Sequence, residues 1–171
     1  PIRRALGRRT IFNLLGPLAN PAGVRRQLVG VASPALIPLY AEAMRLLGTE
    51  RAMIVSGEEG LDELSISGIS RIACIGFDLG HDIIAPEGVG LPLDPIAALR
   101  GGDAAFHAES QRRLLQGEHG AYRDAVLLNA AAALIVAGVF EDGEEGVEEA
   151  AEAIDKGLAK GLLDWWSSVC R

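Results

Sequence analysis

The sequence predicts an α/β domain whose central sheet contains a parallel βαβ unit flanked by helices. Three observations carry that expectation. A short β-branched run at 27–31 (QLVGV) is followed by apolar residues at helical spacing and then by a second apolar run at 52–55 (AMIV). A strand, a helix and a strand in such close succession imply parallel strands joined by a right-handed crossover. The chain has 171 residues, of which 49% are hydrophobic and only 5% aromatic. One domain of that length buries roughly two-thirds of its unfolded surface, here with Ala, Leu, Ile and Val. That composition excludes a disordered chain.

Each element follows from local chemistry. Ser33-Pro34 supplies an N-cap and a proline in the first turn, opening a helix over 34–47 with Leu36, Leu39, Tyr40, Ala43, Met44 and Leu47 at helical spacing. Gly48 closes it. The second strand runs into the acidic, glycine-flanked loop 56–65 (SGEEGLDELS). In open α/β sheets, ligands collect at the carboxyl ends of parallel strands. Residues 71–77 and 81–85 read as a hairpin turning at Asp78-Leu79-Gly80, and 95–99 and 104–115 as helices separated by Gly101-Gly102-Asp103. Residues 122–140 are apolar around the whole circumference but bracketed by Asp124 and Glu141, short of the roughly 20 apolar residues of a membrane span. A helix buried within the protein is expected, in which Asn129 must find hydrogen-bond partners. The last helix is expected from Val147 to about Trp166, with Val147, Ala151, Ile154, Leu158, Leu162 and Trp165 on one face. Glu145, Glu148, Glu149 and Glu152 lie near its N-terminus, where the helix dipole favours negative charge.

Charge is unevenly distributed. The net charge is −7, which argues against non-specific nucleic-acid binding. Yet Arg3, Arg4, Arg8, Arg9, Arg25 and Arg26 all precede the first acidic residue, Glu42. A basic opening on an acidic body fits a local anion site or a solvated arginine-rich surface. The two cysteines, Cys74 and Cys170, have no metal-ligand spacing, and a reduced, cytoplasmic setting is expected.

Two constellations could carry chemistry. Asp62-Glu63 offers adjacent hard-oxygen ligands of the kind that Mg²⁺ takes together with substrate phosphates, although acidic pairs in loops also occur as surface charge. Gly16-Pro17 ends a turn of helix expected over 10–15 and begins a loop, 16–21 (GPLANP), that can bring backbone close to a ligand or merely turn the chain. His81, His107 and His119 lie far apart and read as surface histidines. No G-x-G-x-x-G or Walker loop is present.

The stretch 1–21 (PIRRALGRRTIFNLLGPLANP) resembles the signature of the anthranilate phosphoribosyltransferase family, as do 60–65 (GLDELS) and 122–130 (YRDAVLLNA). The resemblance covers the chain up to its last helix. It implies a nucleoside phosphorylase/phosphoribosyltransferase-like catalytic domain that moves the phosphoribosyl group of phosphoribosyl pyrophosphate onto the amine of anthranilate, in tryptophan biosynthesis. By position, Arg3 resembles the arginine that contacts anthranilate, Gly16 and Pro17 the wall of its entry tunnel, and Asp62 and Glu63 the paired Mg²⁺ ligands. No residue is implied as general acid, general base or nucleophile. The family further implies a homodimer, assembled through a helical domain.

The sequence departs from the family in three places. The family's glycine-rich pyrophosphate loop and helical domain precede the arginine motif, so residues 1–171 are expected to be the acceptor- and metal-side portion of the catalytic domain, inactive in isolation. Gly68-Ile69-Ser70 stands where the family has glycine, a variable residue and threonine, which opens the question of local hydrogen bonding. The closing stretch 165–171, from Trp165 to Arg171, matches nothing. Two other readings share the fold. A non-catalytic nucleic-acid-binding paralogue is disfavoured by the acidic pair and the net charge, and a pyrimidine nucleoside phosphorylase fits Arg3 and Gly16-Pro17 poorly.

Overall fold

A computed structural model describes residues 14–170. Its sheet has four strands in the order β1-β2-β3-β4: β1 (Arg26–Gly30), β2 (Arg51–Gly57), β3 (Ser70–Ile75) and β4 (Ile83–Ile84). β1 and β2 are parallel, with Val29 opposite Ile54 and Gly30 opposite Val55, as the βαβ punctuation predicts. β3 returns antiparallel to β2, and β4 antiparallel to β3. The crossover is a 3₁₀ turn, Pro34–Leu36, running into α1 (Ile37–Leu46). Ser33 caps that turn by accepting from the Ala35 N–H at 3.4 Å.

Alternation along β2 divides the core. Successive side chains of a strand point to opposite faces. Ala52 and Ile54 face α1, packing with Val29, Tyr40, Ala41 and Met44. Met53 and Val55 face the other way, into a larger cluster built by α3 (Ala121–Ala137) and α4 (Gly143–Asp155). β2 is covered on both faces and is the centre of the molecule.

α3 is the apolar helix that the sequence predicts, and it is held at both ends. Gly138, in the left-handed region at φ +76°, stops it before Phe140. The carbonyls left unpaired there accept from arginines of the sheet: Arg51 donates to Ile135 at 2.9 Å and to Val136 at 3.2 Å, and Arg26 donates to Ala137. Arg51 also lies over the Phe77 ring, 4.3 Å from its centroid. Near the other end, buried Arg123 holds Asp155 in a two-pronged ion pair at 2.8 Å, tying α3 to the last residue of α4.

Several boundaries differ from expectation. The predicted hairpin strands 71–77 and 81–85 shorten to β3 and β4, because Gly76 leaves the strand at φ +77°. Residues 95–99 form one 3₁₀ turn, Ile96–Leu99, and 104–115 become α2 (Ala104–Leu114), N-capped by Asp103. The long final helix is corrected to two. α4 begins at Gly143, capped by Asp142, with the glutamates in and after its first turn as the dipole argument requires. It ends at Asp155; Gly157, at φ +73°, breaks the rod, and α5 (Leu158–Val169) begins anew. The predicted apolar face therefore splits. Val147 and Ile154 are buried, whereas Leu158, Leu162 and Trp165 are each more than 60% exposed. Among the described residues, no helix is long and apolar enough to cross a membrane.

The Arg123 guanidinium bonded to Asp155 holds that carboxyl below the usual carboxylate range. A carboxylate with a depressed native pKa contributes stability above its unfolded pKa and loses it on protonation. Asp155→Asn should therefore lower the melting temperature at neutral pH, and the deficit should shrink as the pH falls to about 3. Thermal melts of both proteins across that range check it; a deficit independent of pH would show that the charge contributes nothing.

Candidate functional site

The loop that follows β2 lies against the end of β1. Residues Asp62 and Glu63 stand at the mouth of a cavity of about 640 Å³, with Gly30 and Val55 from the carboxyl ends of the two parallel strands. The opposite wall belongs to α3, through Tyr122, Ala125, Val126, Asn129 and Ala130. Both carboxylates are exposed, and neither side chain makes a hydrogen bond or ion pair among the described residues.

The backbone around the pair is fixed from two sides. On one side, the Asp62 carbonyl sits so close to Gly30 that a Cβ there would lie 1.6 Å from its oxygen. A strand glycine often marks such a close approach. On the other side, the Asn129 carboxamide takes both backbone groups of Leu64. Its Oδ1 accepts from the Leu64 N–H at 2.9 Å, and its Nδ2 donates to the Leu64 carbonyl at 3.0 Å. Nδ2 also donates to Ala125, one turn back, at 3.0 Å. This is the partner set that a half-buried amide on an apolar helix demands. Leu64 itself inserts into the core at 1% exposure.

Serine hydroxyls shape the rest of the loop. Ser70 Oγ accepts from the Ser65 N–H at 2.8 Å, so the serine in place of the family's threonine still makes a loop-closing bond. Ser65 Oγ donates to Glu59 and accepts from the Ser67 N–H at 2.9 Å. Gly57 receives the carbonyl of Leu61 on its N–H at 2.9 Å, and Glu58 that of Ile69 at 3.3 Å. The acidic loop is thus a compact, internally bonded turn.

The other expected site residues lie elsewhere. Arg3 and most of the turn predicted over 10–15 fall outside the described residues. Gly16 and Pro17 open a 3₁₀ turn, Gly16–Leu18, at the surface, and do not line the cavity of Asp62 and Glu63. His81, His107 and His119 are exposed, as expected. A smaller cavity of about 250 Å³ lies next door, shares Leu99 and Tyr122 with the first, and includes Arg100, His107, Arg113 and His119. Burial pushes the Cys74 thiol up to about 11, with Asp78 adding to the shift, so it stays protonated and is no nucleophile at neutral pH. Asn129 stands out in the sequence, whereas Gly30 and the apolar wall residues Ala125, Val126 and Ala130 do not. For Gly30, the available signal was a glycine at a strand end.

The donor set suits Mg²⁺. Among the described residues, no group of three or more His, Cys, Asp or Glu could hold a metal. Two exposed carboxylates on a rigid loop do fit an ion that takes one or two protein carboxylates and completes its shell with water and phosphate.

Gly30→Ala should force the loop and strand apart. Overpacking of this kind costs typically about 1–3 kcal/mol. A urea-unfolding midpoint unchanged from wild type would refute the close contact.

Comparisons with known proteins show the family and the fold. The family described as "Glycosyl transferase family, a/b domain" matches residues 1–160. The chain is 60% identical over 167 residues to an anthranilate phosphoribosyltransferase from Novosphingobium aromaticivorans, covering 97% of this chain and 51% of that protein. It is 59% identical over 176 residues to one from Sphingopyxis alaskensis, covering 97% and 50%. Among solved structures, the anthranilate phosphoribosyltransferase of Thermus thermophilus superposes with a TM-score of 0.88 at 42% identity, covering 98% of this chain and 50% of that one. The Saccharomyces cerevisiae enzyme in complex with PRPP and Mg gives a TM-score of 0.83 at 30% identity, covering 95% and 48%. The chain thus spans about half the length of the relatives it matches. With a carboxylate loop braced at the ends of its parallel strands, and matched along nearly its whole length, the chain belongs to the glycosyl transferase family, a/b domain.

Proposed function

We propose that this chain is the acceptor- and metal-side portion of an anthranilate phosphoribosyltransferase. The whole protein would move the phosphoribosyl group of phosphoribosyl pyrophosphate onto the amine of anthranilate, in tryptophan biosynthesis. The observation that carries the reading is the Asp62-Glu63 pair, held at the mouth of a cavity at the carboxyl ends of β1 and β2. Relatives at 60% and 59% identity bear that enzyme's name. The yeast relative has been solved with PRPP and Mg, and with 4-fluoroanthranilate.

The reaction forms a bond from the anthranilate nitrogen to the anomeric carbon and breaks the bond from that carbon to pyrophosphate. The amine gives up a proton to the departing pyrophosphate or to water, and pyrophosphate leaves with the bonding pair. In this reading Asp62 and Glu63 hold Mg²⁺, which when bound neutralises charge on the pyrophosphate. Arg3 binds the anthranilate carboxylate, a pairing for which the guanidinium fork is suited. Gly16 and Pro17 form a wall of the acceptor's path. No residue acts as nucleophile or general acid. The chain's contribution is placement, which can supply roughly 7–11 kcal/mol of such a barrier. The same reading carries a homodimer, from the family resemblance, and a cytoplasmic setting, from the two unpaired cysteines. It also has residues 1–171 inactive on their own, because they contain no glycine-rich loop to cradle phosphates.

Replacing both Asp62 and Glu63 by Ala in the whole protein should abolish most turnover and the Mg²⁺ dependence of what remains. Both side chains are exposed, so stability should move by no more than about 0.5 kcal/mol each. The loss of anthranilate fluorescence on addition of phosphoribosyl pyrophosphate and Mg²⁺ reads the activity. Near-normal, Mg²⁺-dependent decay in the double variant overturns the assignment.

A further inference from the structure

From residue 125 to the end of α3, Asn129 is the one polar side chain. It lines the cavity that holds Asp62 and Glu63, and its amide is spent on the backbone of the residue next to Glu63. We propose that Asn129 is the positioning residue of the Asp62-Glu63 pair. Its carboxamide fixes where the two carboxylates stand, and so sets the affinity of the site for a divalent cation with pyrophosphate. This rests on the reading of Asp62 and Glu63 as metal ligands.

The geometry allows the amide only one orientation. Turning it over would set Nδ2 against the Leu64 N–H, and Oδ1 against the carbonyls of Leu64 and Ala125. With the second amide proton held by Ala125, the plane of the side chain is fixed by its own helix. Leu64 therefore pairs with α3 much as a strand pairs with its neighbour. The dipeptide before it is short: Asp62 is stopped by Gly30, and Glu63 is followed at once by the clasp. Two residues between two anchors leave little backbone freedom, and only the carboxylate side chains remain free to meet a ligand. Partners that orient metal ligands without touching the ion typically change affinity by about 10–100-fold when removed.

The test is Asn129→Leu, which keeps the volume and removes the clasp, beside Asn129→Asp, which keeps an acceptor for the Leu64 N–H but loses both donors. Hydrogen exchange of the whole protein reads the loop through the Leu64 amide, and the fold through the β2 amides of Met53 and Ile54. Binding of Mn²⁺ in the presence of pyrophosphate, followed by water-proton relaxation, reads the site. We expect Leu64 to exchange at least tenfold faster in Asn129→Leu, with β2 unchanged in both variants, and Mn²⁺ to bind about tenfold more weakly in both. Mn²⁺ binding equal to wild type with Leu64 released overturns this inference alone. Mn²⁺ that binds neither variant nor wild type overturns the metal reading, and this inference with it. If β2 loses protection in both variants, Asn129 holds the fold rather than the loop, and the inference is equally overturned.

Discussion

The contact on which the site depends joins a side chain to a backbone. The loop that leaves the centre of the sheet between Gly57 and Ser70 has many conformations open to it, and fixing each residue costs roughly 1–2 kcal/mol. That cost is met with a few well-placed bonds. Asn129 takes both polar groups of Leu64, Ser70 takes the Ser65 amide, and the Leu64 and Ile66 side chains are buried almost completely. Gly30 provides the other limit by having no side chain where the Asp62 carbonyl lies. The result is a well-braced backbone beneath exposed carboxylates.

That arrangement is only as good as the placement of α3, since α3 carries Asn129. The helix is tied to the sheet at its C-terminus, where Arg26 and Arg51 reach its last carbonyls. Each such cation is worth about 0.3–1 kcal/mol through the helix dipole, and more where partly buried. Nearer its N-terminus, Arg123 binds α4 through Asp155. Along its length, Gly146 of α4 approaches so closely that a Cβ there would lie 3.0 Å from that of Ala131. The arginines bound to the α3 carbonyls come from β1 and β2, the same two strands whose opposite ends line the cavity. Helix and strands are thereby locked in one register, and the clasp meets the loop at a defined height.

Much of this was legible in the residues. The parallel pairing of β1 and β2 followed from a Ser-Pro start, a glycine stop and two short apolar runs, all of which are local signals. Asn129 stood out because a lone amide on an apolar helix must be satisfied, although which backbone would satisfy it is a long-range fact separated by 65 residues. Asp62 and Glu63 were visible through their pattern. Gly30 was not, because a glycine in a strand signals only that something approaches closely. The cavity wall on α3 was hidden for the same reason: Ala125, Val126 and Ala130 look like any core residues until the loop is laid beside them.

The failure at the last helix has a more general cause. Spacing of apolar residues from Val147 to Trp165 describes a continuous stripe, and a stripe reports which residues would gain from burial. It does not report whether a surface is there to bury them. Gly157 turns the chain, so that α4 lays its half of the stripe on α3 while α5 points its half to solvent, with Trp165 and Trp166 both more than 60% exposed. Glycine is also the residue that a helix tolerates at a cost of roughly 1 kcal/mol, so its presence inside a periodic pattern decides nothing by itself. The anchor nearest the break is the Arg123–Asp155 pair. It pins the last residue of α4 to α3, and Gly157 stands just beyond that anchor, free to take the left-handed conformation that ends one helix and begins the next.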